Sequence, residues 1–190
     1  MKKKIAVLLI VFGILLVAGL IVFGILKDGK IFAKNEGTFS EAELSMMNKR
    51  IRKVMHQDVN NQSYYGGCYY EQGNLYILVT KEYKNAMPEV KEAIEKEEGV
   101  ILRKVKYRLW ELEELCDEIT QKRMELERTE NERTRGFLED VNTWGVDEIE
   151  NRVHVGMKDL NLWKQMRFRI LFGLVGDHRI EFESGEAVVD

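Results

Sequence analysis

Hydrophobic and polar positions divide this chain into an unbroken apolar run and a body in which the two kinds alternate. Ile5 to Leu26 carries no charged or polar side chain. As a helix rising 1.5 Å per residue the run is about 33 Å long, enough to cross a ~30 Å hydrocarbon core. Downstream, Ser40 with Glu43 three residues on has the spacing of a capping box. Leu44, Met47, Ile51, Val54 and Met55 then recur at helical period to about Asp58. Tyr64 to Tyr70 and Leu75 to Thr80, around Glu71-Gln72-Gly73-Asn74, predict a β-hairpin with Leu75, Ile77 and Val79 on one face. Pro88 suits the first turn of a helix that buries Val90, Ala93 and Ile94 and ends at Gly99. Val100 to Tyr107 follows as a strand. A long helix begins near Leu109, with Leu109, Leu112, Cys116, Ile119 and Leu126 as its stripe. Its acidic residues come early and Arg128, Arg133 and Arg135 late, which complements the helix dipole. Beyond Leu126 the stripe stops, so this helix is expected to end in water.

Trp144 to Asp147 and Arg152 to Met157 flank Glu148 to Asn151 as a second hairpin. Leu160 to Phe172, carrying Leu162, Trp163, Met166, Ile170 and Leu171, predicts a third helix. His178 to Glu183 alternates Ile180 and Phe182 with polar residues as a last strand. The order ββ-α-β-α-ββ-α-β specifies an α+β fold, small antiparallel sheets covered by helices, behind an N-terminal transmembrane helix.

The apolar run is longer than the core of a secretory signal, and Leu26-Lys27-Asp28-Gly29-Lys30 offers no Ala-x-Ala cleavage site. An uncleaved anchor is therefore preferred to a cleaved signal. The basic leader of Lys2, Lys3 and Lys4 favours the N-terminus inside and the body outside. The expected organisation is a cytoplasmic stub over 1–4, a membrane helix limited by Ile5 and Leu26, a linker and membrane-proximal helix over 27–58, and an extracytoplasmic domain over 59–190.

A net charge of −3 and the lack of a dense basic stripe with interleaved aromatics exclude a nucleic-acid binder. Cys68 and Cys116 are the two cysteines. Outside the membrane a Cys68–Cys116 disulfide is one alternative; a free Cys116 packed on its helical stripe is the other. His56, His154 and His178 lack metal-ligand spacing, so no metal is expected. Gly66-Gly67 lacks the rest of a phosphate loop, and no cofactor is expected. Ser40, Ser45, Ser63 and Ser184 sit in no nucleophile motif. Cys68 with His154 or His178 is more simply structural, and the acidic run from Glu111 to Glu118 is a solvated helix face. No enzyme is expected.

Gly67-Cys68-Tyr69-Tyr70-Glu71-Gln72-Gly73-Asn74-Leu75-Tyr76-Ile77-Leu78-Val79-Thr80 resembles a hairpin in the pro-regions of streptogrisin and alpha-lytic-type serine proteases. Val105 to Leu112 is similar to the strand-to-helix step of that family. Asn142 to Asp147 with Asn151 to Val155 resembles its second hairpin. Asp159-Leu160 and Ile180 to Gly185 are similar to its closing helix and strand. The likeness runs from about Tyr64 to Glu186. It implies a domain that assists folding of a protease and then inhibits it, packing a small sheet against a protease hairpin. Arg108 stands where the family has a serine, Met124 to Arg135 is extra, and the chain stops at Asp190, about where a protease would begin.

The expectation is a single-pass membrane protein whose exterior domain binds a protein or peptide by adding strands to its sheet edge, in its sharpest form a pro-region-like chaperone or inhibitor acting in trans on an exported serine protease. Tyr69, Tyr70, Trp144, Val153 and Val155 are the candidate partner-binding residues. The alternative is a structural or regulatory envelope protein that tethers or self-associates through Met124 to Arg135.

Overall fold

One chain path, hairpin then crossover helix then third strand, is used twice. The structure, a computed structural model, describes residues 30–33, 39–129 and 131–185. The expected membrane helix over Ile5–Leu26 lies outside them. Among the described residues no helix is long and apolar enough to cross a membrane. In chain order the elements are β1 (Lys30–Ala33), α1 (Glu41–Met55), the single turn α2 (Asn61–Tyr64), β2 (Tyr65–Glu71), β3 (Asn74–Val79), a 3-10 helix (Lys81–Asn85), α3 (Pro88–Lys96), β4 (Val100–Lys104), α4 (Leu109–Glu127), α5 (Glu132–Leu138), β5 (Val141–Asp147), β6 (Arg152–Met157), α6 (Leu162–Phe172) and β7 (Ile180–Ser184).

The fold is α+β, but its sheets are mixed rather than antiparallel. β2 and β3 form the expected hairpin, and β4 then lies parallel to β3. β5 and β6 repeat the hairpin, and β7 lies parallel to β6. A tight turn reverses the chain, whereas a connection through a helix returns it to the same end of the sheet, so each third strand runs parallel. The sheet orders are β1-β4-β3-β2 and β5-β6-β7. β1 falls in the stretch expected to be linker and pairs antiparallel with β4.

The first core lies between its sheet and helices α1 and α3. Leu44, Met47, Ile51 and Met55 from α1 meet Val90 and Ile94 from α3 over Leu75, Ile77, Val79 and Leu102. The helix expected beside the membrane is thus part of this core. Its start is the capping box: Ser40 Oγ accepts from the Glu43 N–H at 3.4 Å, and Glu43 Oε2 accepts from the Ser40 N–H at 2.8 Å. Ser40→Ala removes one half of this exchange and is expected to cost about 1 kcal/mol, read as a lower denaturation midpoint. Buried Asp58 closes the far end of α1. Desolvation opposes its charge, but the Met87 and Asn60 N–H groups and the Tyr64 hydroxyl outweigh it, holding the carboxyl below the usual range.

The second core gathers Leu112, Leu115 and Ile119 of α4, Phe137 and Leu138 of α5, Val153, Val155 and Met157 of β6, Phe168 and Phe172 of α6, and Ile180 of β7. The stripe of α4 therefore passes through Leu115, with Cys116 half-buried at its margin. The expected projection beyond Leu126 is corrected. Leu126 packs against the core, α4 ends at Glu127, and α5 brings buried Thr134, Phe137 and Leu138 back to the sheet. The Asn131 side chain caps this return by accepting from the Thr134 N–H at 3.2 Å. α6 turns Phe168 and Phe172 inward and leaves Leu162, Trp163, Met166 and Ile170 exposed. Of the five apolar residues expected along it, Leu171 packs against the second core and the other four face outward, because this helix is apolar on more than one side.

Candidate partner-binding surface

The five residues expected to meet a partner do not form one surface. Val153 and Val155 are 0% exposed inside the second core, so they are corrected to packing residues. They occupy the inward positions of β6, alternating with half-buried Arg152 and His154 on the opposite face. Tyr69 is half-buried, stacked on Tyr76 at 4.6 Å, and its hydroxyl accepts from Arg103 Nη1 at 3.1 Å. Tyr70 is 43% exposed, and its hydroxyl accepts from Asn48 Nδ2 at 3.0 Å. Trp144 is half-buried, its Nε1 donating to Thr120 Oγ1 at 3.0 Å beneath the Arg123 guanidinium. Cys68 and Cys116 are both free thiols, so the disulfide alternative is not formed. Asn48 Nδ2 lies 3.4 Å from Cys68 Sγ. Burial, with the charges of Asp117 and Glu113, pushes the Cys116 thiol up.

A sheet edge was expected, but none of the five residues lies on β7, which ends the order β5-β6-β7. β7 bonds inward through alternate residues: Val153 N–H donates to Arg179 O at 2.8 Å, and Gly185 N–H to Met157 O at 3.0 Å. Alternation along the strand turns the backbone groups of Ile180, Phe182 and Ser184 to the outer edge. Arg169 Nη2 donates to Ile180 O at 3.4 Å at the start of that edge. The Ile180 and Phe182 side chains anchor β7 to the second core, while Glu181 and Glu183 are exposed on the opposite face. The strand was legible from its alternation, but its place at an edge depends on sheet order.

The open face of this sheet is polar. His154 stands between Glu183, 3.3 Å from Nδ1, and Asp147 and Glu181, 3.6 and 3.9 Å from Nε2. These contacts join all three strands. Among the described residues no group of three or more His, Cys, Asp and Glu side chains is arranged to hold a metal ion.

The turn of the second hairpin fixes the two sheets to each other. The Glu148 carboxylate accepts from the Cys68 N–H and lies over Gly67, where a Cβ would collide with it. Gly67 also has φ +115°, a conformation that disfavours side chains. Three residues on, Asn151 Oδ1 accepts from the N–H groups of Lys106 and Tyr107 at 3.1 and 2.8 Å. Its Nδ2 donates to Tyr107 O at 2.9 Å. Arg103 Nη1 reaches Ile149 O at 3.1 Å across the same seam.

Burial pushes the Glu148 carboxyl above the usual range, against the pull of the Cys68 N–H and Arg52. Below its unfolded-state pKa both states are protonated and burial costs nothing. As pH rises through the raised folded value, the folded protein must hold a desolvated carboxylate, and stability falls. Glu148→Gln keeps an acceptor for Cys68 without that charge. Its denaturation midpoint is expected to exceed that of wild type at neutral pH, with the difference closing toward about pH 4. A difference that does not change with pH would contradict this.

Residues 110–183 match the family model of a Pro-like C-terminal domain. The matched stretch runs from α4 into β7 and covers less than half of the chain. It encloses the second sheet and its helices, while the first hairpin lies outside it. No curated protein matches the chain. The comparisons therefore show a likeness of the second unit to a Pro-like C-terminal domain, consistent with a pro-region-like domain.

Proposed function

We propose that this chain is a single-pass, membrane-anchored protein whose exterior domain binds a protein or peptide by accepting a strand at the outer edge of β7. The observation that carries the reading is that edge. It is a strand with outward backbone groups at Ile180, Phe182 and Ser184, in the unit similar to a Pro-like C-terminal domain. Its Ile180 and Phe182 side chains are held by the second core, so the edge is preorganised and an incoming strand has little ordering cost to meet on this side. The sharper form of the reading is a pro-region-like folding assistant or inhibitor acting in trans on an exported serine protease.

Binding is favoured over catalysis by the roles of the reactive side chains. Ser40 caps α1, Ser184 ends β7, and the ring nitrogens of His154 point at carboxylates. Nucleophilic chemistry needs a base in hydrogen-bond reach of a hydroxyl or thiol. Anchoring rests on the Ile5–Leu26 run.

Cross-linking the full chain in its native membrane and identifying what it holds tests the reading. Exported serine proteases among the partners support the sharper form; their absence sinks it. A structural tether, the competing reading, would hold its partners regardless of the state of the β7 edge.

A further inference from the structure

We infer that the outward face of α6 docks on the surface of an anionic lipid bilayer. The inference rests on the anchoring part of the proposed function and adds a second membrane contact to it.

Leu162, Trp163, Met166 and Ile170 are 71, 84, 44 and 62% exposed. At 3.6 residues per turn they fall within about 100° of one helical face. Single exposed apolar side chains are ordinary, but four contiguous ones led by a tryptophan mark an interaction surface. The opposite side, Phe168 and Phe172, already fills the second core.

Charge identifies the occupant. α6 contains Lys164, Arg167 and Arg169 and no acidic residue. Lys164 is paired with Asp140 at 2.9 Å. Arg167 and Arg169 flank the apolar stripe on its two sides, and each bonds backbone carbonyls. Arg167 Nη2 donates to Arg133 O at 2.7 Å, and Arg169 Nη1 to Asp177 O at 2.6 Å. An apolar stripe carrying Trp and Leu with the exposed Arg167 guanidinium at its border is the composition of a helix lying in a membrane interface, while Arg169 on the other side is half-buried over the Phe182 ring. A second copy of the chain suits it poorly, because face-to-face α6 helices would oppose like charges.

Reach supports the same occupant. β1 begins at Lys30, four residues past Leu26. At 3.8 Å between successive Cα atoms that is at most about 15 Å. If the apolar run spans the bilayer, the folded domain is held against its surface at high local concentration.

The test reconstitutes the full chain in phosphatidylcholine vesicles containing dibrominated phosphatidylcholine, with and without phosphatidylglycerol. Tryptophan emission is compared for wild type, Trp163→Phe, Ile170→Glu and Arg167→Gln. The expected result is bromolipid quenching of wild type that is absent in Trp163→Phe, lost in Ile170→Glu, and less dependent on phosphatidylglycerol in Arg167→Gln. Circular dichroism of each variant checks that the fold persists. Equal quenching of wild type and Trp163→Phe overturns the inference, as does concentration-dependent association that Ile170→Glu abolishes without any wild-type quenching. Flotation of the vesicles in alkaline carbonate separates the two readings. A chain that fails to float has lost the anchor, whereas one that floats with Trp163 unquenched keeps the anchor and refutes the docking.

Discussion

Phe168→Ala lowers the stability of the folded chain by about 3–5 kcal/mol, the cost of emptying an aromatic site in a packed core. Phe168 is fully buried, stacked on Phe172 at a centroid distance of 4.1 Å and edge-on to Phe182 at 5.4 Å. Those two rings come from α6 and β7, so the cavity opens where the strand edge is supported. Trp163→Ala, five residues earlier on the same helix, shifts stability by only about ±0.5 kcal/mol, because its ring faces outward. Chemical denaturation of the full chain in mild detergent measures both. Comparable losses for the two variants would mean that the helix is rotated from the orientation described.

Asn151→Ala is the second large effect, about 3 kcal/mol or more. Asn151 is buried and sits at φ +53°. An alanine there carries about 1–2 kcal/mol of left-handed backbone strain. It also strands two N–H groups and one carbonyl at the seam, each unpaired buried group costing about 1–3 kcal/mol if no water replaces the partner. Asn151→Gly relieves the strain and leaves the polar groups unpaired. Asn151→Asp keeps an acceptor for Lys106 and Tyr107 but loses the donor to Tyr107 O. Both are expected between wild type and alanine in denaturation midpoint. Equal values for alanine and glycine would show that backbone strain contributes nothing.

Much of the fold was legible because local signals agreed with the final packing. The Ser40–Glu43 spacing became a capping box, Pro88 took the first turn of α3, and Leu109 opened α4. Both hairpins paired as their alternation required. The parallel partners β4 and β7 were not legible, since strand pairing across a helix leaves no local pattern. α5 escaped because Phe137 and Leu138 are too few apolar residues to set a period, and only the second core holds them in place. The side of α6 that turns inward was not legible for the opposite reason: two of its faces are apolar, and periodicity cannot say which one meets the core.

The candidate site was less legible than the fold. Inward placement of Val153 and Val155 follows from their alternation with Arg152 and His154, so their exclusion from a contact surface was readable. Whether two cysteines bond depends on a Cα separation that sequence spacing does not supply. The β7 edge follows from the order β5-β6-β7, and the Glu148 and Asn151 contacts join residues 80 and 44–45 positions apart. Long-range geometry, more than residue type, makes this surface.

The central claim is strand addition at β7, and Ser184→Pro tests it most directly. Ser184 is exposed at the end of the strand, and its N–H points to the outer edge, so proline removes a donor there while the inward Gly185–Met157 bond remains. Full-length wild type and Ser184→Pro are cross-linked side by side in the native membrane, with circular dichroism confirming that the variant is folded. The account predicts that the partners held by wild type are lost or sharply reduced in the variant. An unchanged partner set in a folded Ser184→Pro protein would contradict it.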